Sequence, residues 1–266
     1  MVMAVATAQA SGIVSPVGER TMRARASPER IEPMARKVIN QPVNCVEKPS
    51  ETSNSEVGMK AVISDKTRVT AALFRTSTQN EIVTLVNQGG RSVFQNVDHT
   101  VREGFELSYD ARFTQNLSAV LSYTSLHAEF ARTFLTCGTS TTCTVANLSV
   151  PKGNNIPGVP REFVFGELTW ASHKPSGFST ALEMHKTDKI FTTDLNDAAA
   201  PAYTLFNWRA SLGQQKNGGW SFKEFVRVEN VFDRKYVGSV IVNASNGQYY
   251  EPAPERSFVI GFTAQH

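Results

Sequence analysis

Apolar and polar residues alternate with a period of two along most of the chain from Ser55 onward. In SEVGMKAVIS, Val57, Met59, Ala61 and Ile63 share one side, and Glu56, Gly58, Lys60 and Ser64 the other. In VREGFELSYDARF, Val101, Phe105, Leu107, Tyr109, Ala111 and Phe113 oppose Arg102, Glu106, Ser108, Asp110 and Arg112, with Glu103 the one charge on the apolar row. The same division recurs in NLSAVLSYTS (Leu117, Ala119, Leu121, Tyr123), YTLFNWRASLG (Phe206, Trp208, Ala210, Leu212) and SFVIGFTAQH (Phe258, Ile260, Phe262, Ala264). Period two sets each group on one face of a sheet, so the chain reads as all-β and antiparallel. The unbroken stretch from Arg68 to about Leu85 predicts a strand much longer than ordinary. Its two faces blur past Leu73, where a bulge or a change of environment is expected.

Alternation fits both a soluble sandwich, apolar side inward, and a membrane barrel, apolar side outward. The connections separate the two. DKT after Ser64, QN after Thr114, SHKPSG after Ala171 and QKNGG after Gln214 are short and rich in turn residues. Between them lie the longer VNQGG, the stretch from Phe134 to Pro160, TTDLNDAAAP and NASNGQYYEPAP. Alternating short and long links are the habit of outer-membrane barrels, and Tyr123, Trp170, Trp208 and Trp220 suit their interfacial girdles. Counting from outside gives about nine strands, the first descending; an odd count leaves an open edge, whereas bacterial single-chain barrels have even numbers. The chain is therefore expected to be the C-terminal part of a larger barrel.

Residues 1–54 stand apart. RTMRARASPERIEPMARK is basic with helical spacing, Ser27 in the capping position and Pro28 first in the turn, and reads as a short helix or a disordered arm. MVMAVATAQASG lacks the basic n-region of a signal peptide. The domain reading is an atypical arm over 1–54 and a partial barrel over 55–266.

Composition narrows the function. Of 266 residues 41% are hydrophobic and the formal charge is +3, too small to point to nucleic acid. No apolar run approaches the ~18 residues of a spanning helix. Cys137 and Cys143 lie in the Ser/Thr/Gly-rich TCGTSTTCT. A disulfide between them is favoured over two free thiols, and over a metal pair because no His lies between them; Cys45 stands alone. No nucleophile elbow, zinc motif or phosphate loop is present. His127, His173 and His185 are scattered, though His185 shares a row with Ser179, Ala181 and Glu183. Glu106 and Asp110 share a polar face, as such pairs do on any barrel wall. No catalytic, cofactor-binding or metal-ligating set is expected.

SEVGMK, NEIV, HTVREGFELSYDARF, NIPGVPREFVFGELTW, VENVFDRKYVGSVIV and RSFVIGF follow one another in the order seen in TonB-dependent outer-membrane receptors. The chain resembles that family from Val46 to His266. The resemblance implies a 22-stranded barrel with a plug inside it, of which this chain holds about nine or ten strands. It implies a place in the cell outer membrane in contact with its lipid. It also implies uptake of siderophores, other metal chelates or cobalamin, with TonB as partner of the full-length family member. Val226 and Val228 are expected to face lipid, and Lys223, Arg227 and Glu229 the lumen. Asn230, Asp233 and Arg234 are expected to lie higher, where a bulge shifts the register. Several features depart from the family. Neither plug nor TonB box is recognisable, Glu224 falls on the lipid-facing row, and the last residue is His266 rather than an aromatic. The chain by itself is accordingly expected not to transport. The rival readings are a small or oligomeric porin-like barrel and a soluble all-β carbohydrate-binding domain.

Overall fold

The structure is a computed structural model, and it describes residues 48–138, 140, 146–174, 177–215 and 219–265. The expected arm up to residue 47, including its helix, lies outside them. The described residues form strands and no helix. In chain order these are β1 (Glu51–Ser64), β2 (Thr67–Gln88), β3 (Arg91–Arg112), β4 (Leu117–Phe130), β5 (Phe134–Thr136), β6 (Leu148–Val150), β7 (Glu162–Ala171) and β8 (Phe178–Thr187). They continue with β9 (Ile190–Phe191), β10 (Ala199–Ala200), β11 (Tyr203–Gln215), β12 (Ser221–Glu229), β13 (Val237–Val240), β14 (Tyr250–Pro252) and β15 (Ser257–Gln265).

One nine-stranded sheet carries the fold, in the order β1-β2-β3-β4-β7-β8-β11-β12-β15. Every neighbouring pair in it is antiparallel. The sheet is a meander, with the strand number read from the sequence. The remaining strands make three hairpins, β5 with β6, β9 with β10 and β13 with β14, each inside one long link. All three long links therefore stand at one end of the sheet, together with the β2–β3 turn, and the other four connections stand at the opposite end. β1 opens at Glu51, so the expected boundary at residue 54 falls within it.

The cross-strand register carries the apolar row from strand to strand. Val57 pairs with Leu73 and Leu73 with Phe105; Tyr109 pairs with Leu121; Leu168 pairs with Leu182, Leu182 with Trp208, Trp208 with Val228 and Val228 with Phe258. Paired residues share a face, so the sheet has one continuous apolar face. It is exposed: Val57 is 53% accessible, Leu182 47% and Ile260 83%. Glu103 is explained by height. Directly above Leu73 and Phe105, the same face carries Arg75 and His127 beside Glu103, and Arg75 lies 3.7 Å from Glu103.

Two strands exceed a single crossing. β2 and β3 run 22 residues each and close in a two-residue turn at Gly89 and Gly90, with φ of 56° and 76°. Positive φ at both positions is the hairpin geometry that glycine supplies. VNQGG is thus a tight turn on a long hairpin, not a long link. Pairing of β2 with β3 holds from Thr67 to Thr84, and the one register shift lies between Thr84 and Val86, well past Leu73. The blurred faces have another cause. At Asn80 φ is 52°, a left-handed residue that breaks strict alternation. Beyond it Glu81 bonds to Thr100 and to Arg102 (2.8 Å), which lie on the polar face, and Val83 joins the cluster of Val97, Ala128, Phe130, Val150 and Ile156. That cluster is a small core at the long-loop end.

VENVFDRKY also departs from expectation. β12 stops at Glu229, and Asn230 and Asp233 adopt φ of 50° and 54°. Asn230 Oδ1 accepts from the Arg234 N–H (2.9 Å) and its Nδ2 donates to the Arg234 carbonyl (2.8 Å). The expected bulge is a full turn, closed by a buried asparagine, after which the chain leaves the main sheet.

Candidate functional site

The polar face is a wall of charges in ordered contact. Arg227 grips Glu183 through two nitrogens at 2.9 and 2.8 Å and reaches Glu229 at 3.1 Å. Arg209 lies 2.8 Å from Glu167 and 3.7 Å from Glu183. Glu167 and Glu183 are paired directly across β7 and β8. Two like charges so placed repel; Arg209 between them and the fork of Arg227 offset that with charge-assisted bonds. The period-two spacing of Arg227 and Glu229 on β12, and of Glu183 and His185 on β8, builds this wall. His185 stands 3.7 Å from Glu183, with its ring centroid 5.0 Å from that of Phe165. Lys223 shares the face, and lines a cavity of about 500 Å³ with Arg209, Arg227, Ser179, Ser211 and Thr263.

The other candidates from the sequence do not join this wall. His127 projects from the opposite face, where it contacts Glu129 at 2.9 Å and Arg161 at 3.0 Å. His173 sits in an exposed short turn. Glu106 and Asp110 are on the polar face of β3, with Asp110 opposite Arg68. Among the described residues no three His, Cys, Asp or Glu side chains gather as a metal site. Cys137 is buried and disulfide-bonded; Cys143 and Cys45 lie outside the described residues.

Apolar-face aromatics mark the short-turn rim. Trp170 and Phe178 approach to 6.2 Å, and Phe222 lies between Trp220 at 6.1 Å and Phe262 at 5.8 Å. Glu224 stands on the same rim, opposite Leu212 and Phe262. Trp208 sits further in, its Nε1 donating to Thr180 Oγ1 at 2.9 Å. Tyr123 reaches Glu162 at 3.4 Å toward the other end.

Above the wall the long links are tied together. Asn243, 1% exposed, is the knot. Its Nδ2 donates to the Thr84 carbonyl (2.6 Å) and to Asp194 Oδ2 (3.0 Å), and its Oδ1 accepts from the Asp194 N–H (3.2 Å). Backbone bonds run from Asn87 N to the Asn243 carbonyl and from Ser245 N to the Asn87 carbonyl. Asn154 Nδ2 donates to the Asp194 carbonyl at 2.8 Å, which brings in the β4–β7 link. Burial pushes the Asp194 carboxyl up to about 6, against the lowering effect of its bond to Asn243. At Glu81 the bonds from Arg102 and Thr100 and the Arg102 charge outweigh burial and hold the carboxyl low. No local pattern announces this knot: Thr84 and Asn243 are 159 residues apart. The cluster of turn residues in TTDLND and NASNG is the one signal in the sequence that touches it.

Two cavities open at the foot of these links, one of about 270 Å³ and one of about 380 Å³, both lined by Tyr203 and Tyr236. The two rings lie 4.6 Å apart.

A polar wall, an exposed apolar back and a knotted set of loops at one end match a known class of proteins. Residues 43–231 match the family model described as TonB dependent receptor-like, beta-barrel. The chain is 26% identical over 214 residues to the probable TonB-dependent siderophore receptor PiuA of Acinetobacter baumannii, covering 80% of this chain and 26% of that protein. It is 26% identical over 220 residues to the catecholate siderophore receptor Fiu of Escherichia coli K12, covering 80% of this chain and 25% of Fiu. The chain thus spans about a quarter of the length of the curated relatives it matches. In structure it superposes on PiuA of Acinetobacter baumannii with a TM-score of 0.63, at 23% identity over 81% of this chain and 28% of that one. It superposes on the copper transporter OprC with a TM-score of 0.60, at 17% identity over 82% of this chain and 31% of that one. Among the described residues no helix is long and apolar enough to cross a membrane, and the crossing elements are strands. The chain belongs to the TonB-dependent receptor-like β-barrel family, whose barrels stand in the outer membrane.

Proposed function

We propose that this chain is the wall and part of the extracellular mouth of a receptor that carries a metal chelate, a ferric siderophore, across the outer membrane with energy supplied through TonB. One observation carries the reading: the charged wall from Glu167 to Glu229 lies beneath a loop cap tied back to β2 by Asn243, so a polar passage and its extracellular mouth are built from one continuous sheet. The match to PiuA and Fiu, both named for siderophores, supports the ligand class. The likeness to the copper transporter OprC is one of fold and leaves the ligand open. The role is that of a receptor and transporter rather than an enzyme.

The test is uptake of radiolabelled ferric chelates by iron-starved cells with and without the gene that encodes this chain, in a host with and without TonB. Loss of uptake of one chelate on removing either gene supports the proposal. Uptake that depends on this gene but continues without TonB means a passive pore and overturns it.

A further inference from the structure

The smaller of the two cavities at the foot of the links, about 270 Å³, combines aromatic walls with acids. Cross-strand register builds one side of it: Phe163 pairs with Thr187 and Thr187 with Tyr203, so the two rings share the polar face of β7 and β11. Tyr236, from the link after β12, lies 4.6 Å from Tyr203 and makes the next wall. Glu229 and Glu255 complete the lining.

The remaining polar side chains on the cavity are already engaged. Asn207 Oδ1 accepts from the Asn230 N–H at 2.9 Å, and the Asn230 amide is spent on the backbone of Arg234. His185 stands by Glu183 at 3.7 Å. Glu229 accepts from Arg227 Nε at 3.1 Å and from Ser257 Oγ at 3.4 Å, which leaves lone pairs on both its oxygens. Glu255 has no hydrogen-bond or ion-pair partner among the described residues, and its neighbour Arg256 is turned to Asp233. From Glu167 upward, the carboxylates of Glu167, Glu183, Glu229 and Glu255 share the two guanidiniums of Arg209 and Arg227, so the wall ends with negative charge unmatched. Arg234 and Lys235 do not supply the balance, because they line the other cavity, beyond the ring pair. Burial first, then Tyr203 and the Glu229 charge, push the Tyr236 phenol up, so the field of Glu229 reaches this ring.

We infer that the cavity of Phe163, Tyr203, Tyr236, Glu229 and Glu255 binds an organic ammonium group. Ring faces attract a cation through their quadrupole, and unmatched carboxylates beside them accept its N–H donors. An anion meets acids here, and a neutral alcohol gains neither term. At about 270 Å³ the cavity lies just under the ~300–1,000 Å³ usual for small-molecule sites. It takes a short ammonium-bearing arm rather than a whole ligand. The inference rests on the reading of these links as the mouth of a receptor, and adds a positive group to what that mouth recognises.

The test uses the purified protein in micelles of a non-ionic detergent at pH 7.5, with three probes of one shape and different charge: tert-butylammonium, tert-butanol and pivalate. Binding is read by saturation-transfer NMR. The ammonium should bind in preference to both others. Glu255→Gln should weaken it by about tenfold, the loss of one charge-assisted contact, and Tyr236→Leu by about threefold, the loss of one ring face. Asp65→Asn, an acid in the short turn at the opposite end of the sheet, should leave it unchanged. Equal binding of the three probes overturns the assignment, as does unchanged ammonium binding in Glu255→Gln with far-UV circular dichroism intact. Absence of ammonium binding with TonB-dependent uptake intact removes the site and leaves the proposed function. Ammonium binding that Glu255→Gln weakens, in a protein whose uptake does not need TonB, keeps the site and removes the function.

Discussion

Replacing Asp194 with asparagine should tighten the loop knot at neutral pH and lose that advantage in acid. Asp194 is 2% exposed and holds three links together through Asn243 and Asn154. Burial raises its carboxyl from 3.8 to about 6. An acid whose pKa is raised in the packed state holds its proton more tightly there than in the opened state. The packed loops are therefore at full stability below about pH 4, lose stability as pH climbs to about 6, and level off above it. A rise of this size corresponds to about 3 kcal/mol, or a shift on the order of a hundredfold between packed and opened loops. The asparagine introduced there still accepts from Asn243 but brings a new amide donor into a buried place, which costs about 1 kcal/mol or more if it finds no partner. A gain of about tenfold at pH 7.5 survives that discount. Hydrogen exchange read by mass spectrometry, normalised to the same peptides in denaturant, measures it at the bonded amides of Asn87, Asn243 and Ser245. Slower exchange in D194N at pH 7.5, with that advantage gone near pH 4, is the expected pattern. Equal exchange at pH 7.5, or a difference of the same size at both pH values, would refute the argument.

Other perturbations probe the wall and the links. Arg227→Ala leaves Glu183, whose side chain is 6% exposed, with Arg209 at 3.7 Å as its remaining arginine; stranding a buried acid costs about 3 kcal/mol, seen as a lower denaturation midpoint in micelles, and Glu183→Gln added to it should recover most of the loss. At Gly261 an added Cβ runs into the Phe225 ring across β12 and β15, so Gly261→Ala should destabilise by about 1–3 kcal/mol. Phe225→Leu in the same chain should relieve it, and a double-mutant cycle with no coupling contradicts the contact. Non-reducing peptide mapping should link Cys137 to Cys143; a link from Cys137 to Cys45 shows the pairing is wrong.

The sheet was legible because its signal is local. Val57 and Met59, or Phe206 and Trp208, announce their face within a few residues, and the register only carries that face to the next strand. Lys223, Arg227 and Glu229 fall on the polar side for the same reason. The reading failed where one backbone angle changes the pattern. Asn80 at φ 52° moves Glu81 and Val83 to the other side, and Asn230 at φ 50° ends a strand that the pattern of valines after it would extend. Asparagine tolerates left-handed backbone but does not require it, so neither residue declares the break beforehand. The knot at Asn243 and the tyrosine pair were out of reach, since each joins segments distant in sequence and close only once the sheet has formed.

The two acids that interrupt the apolar row settle which way it faces. Glu103 lies above Phe105, within reach of Arg75, and Glu224 lies near the start of β12 among Phe222, Leu212 and Phe262. In a bilayer, a carboxylate is tolerated at the interfaces and disfavoured at the midplane, so these positions bracket the apolar band. Its height can be checked on the shortest crossings. β7 and β8 have ten residues each; at about 3.4 Å per residue and a tilt of about 45°, each rises about 24 Å, close to the ~25 Å apolar band of a membrane barrel. A soluble sandwich would have to bury this face, yet Leu168, Leu182, Leu212, Ile260 and Phe262 all lie exposed on it. A contiguous exposed apolar face of that kind needs an apolar neighbour. Lipid supplies one along the whole band, and the opposite face, with its paired Glu and Arg side chains, is left to water.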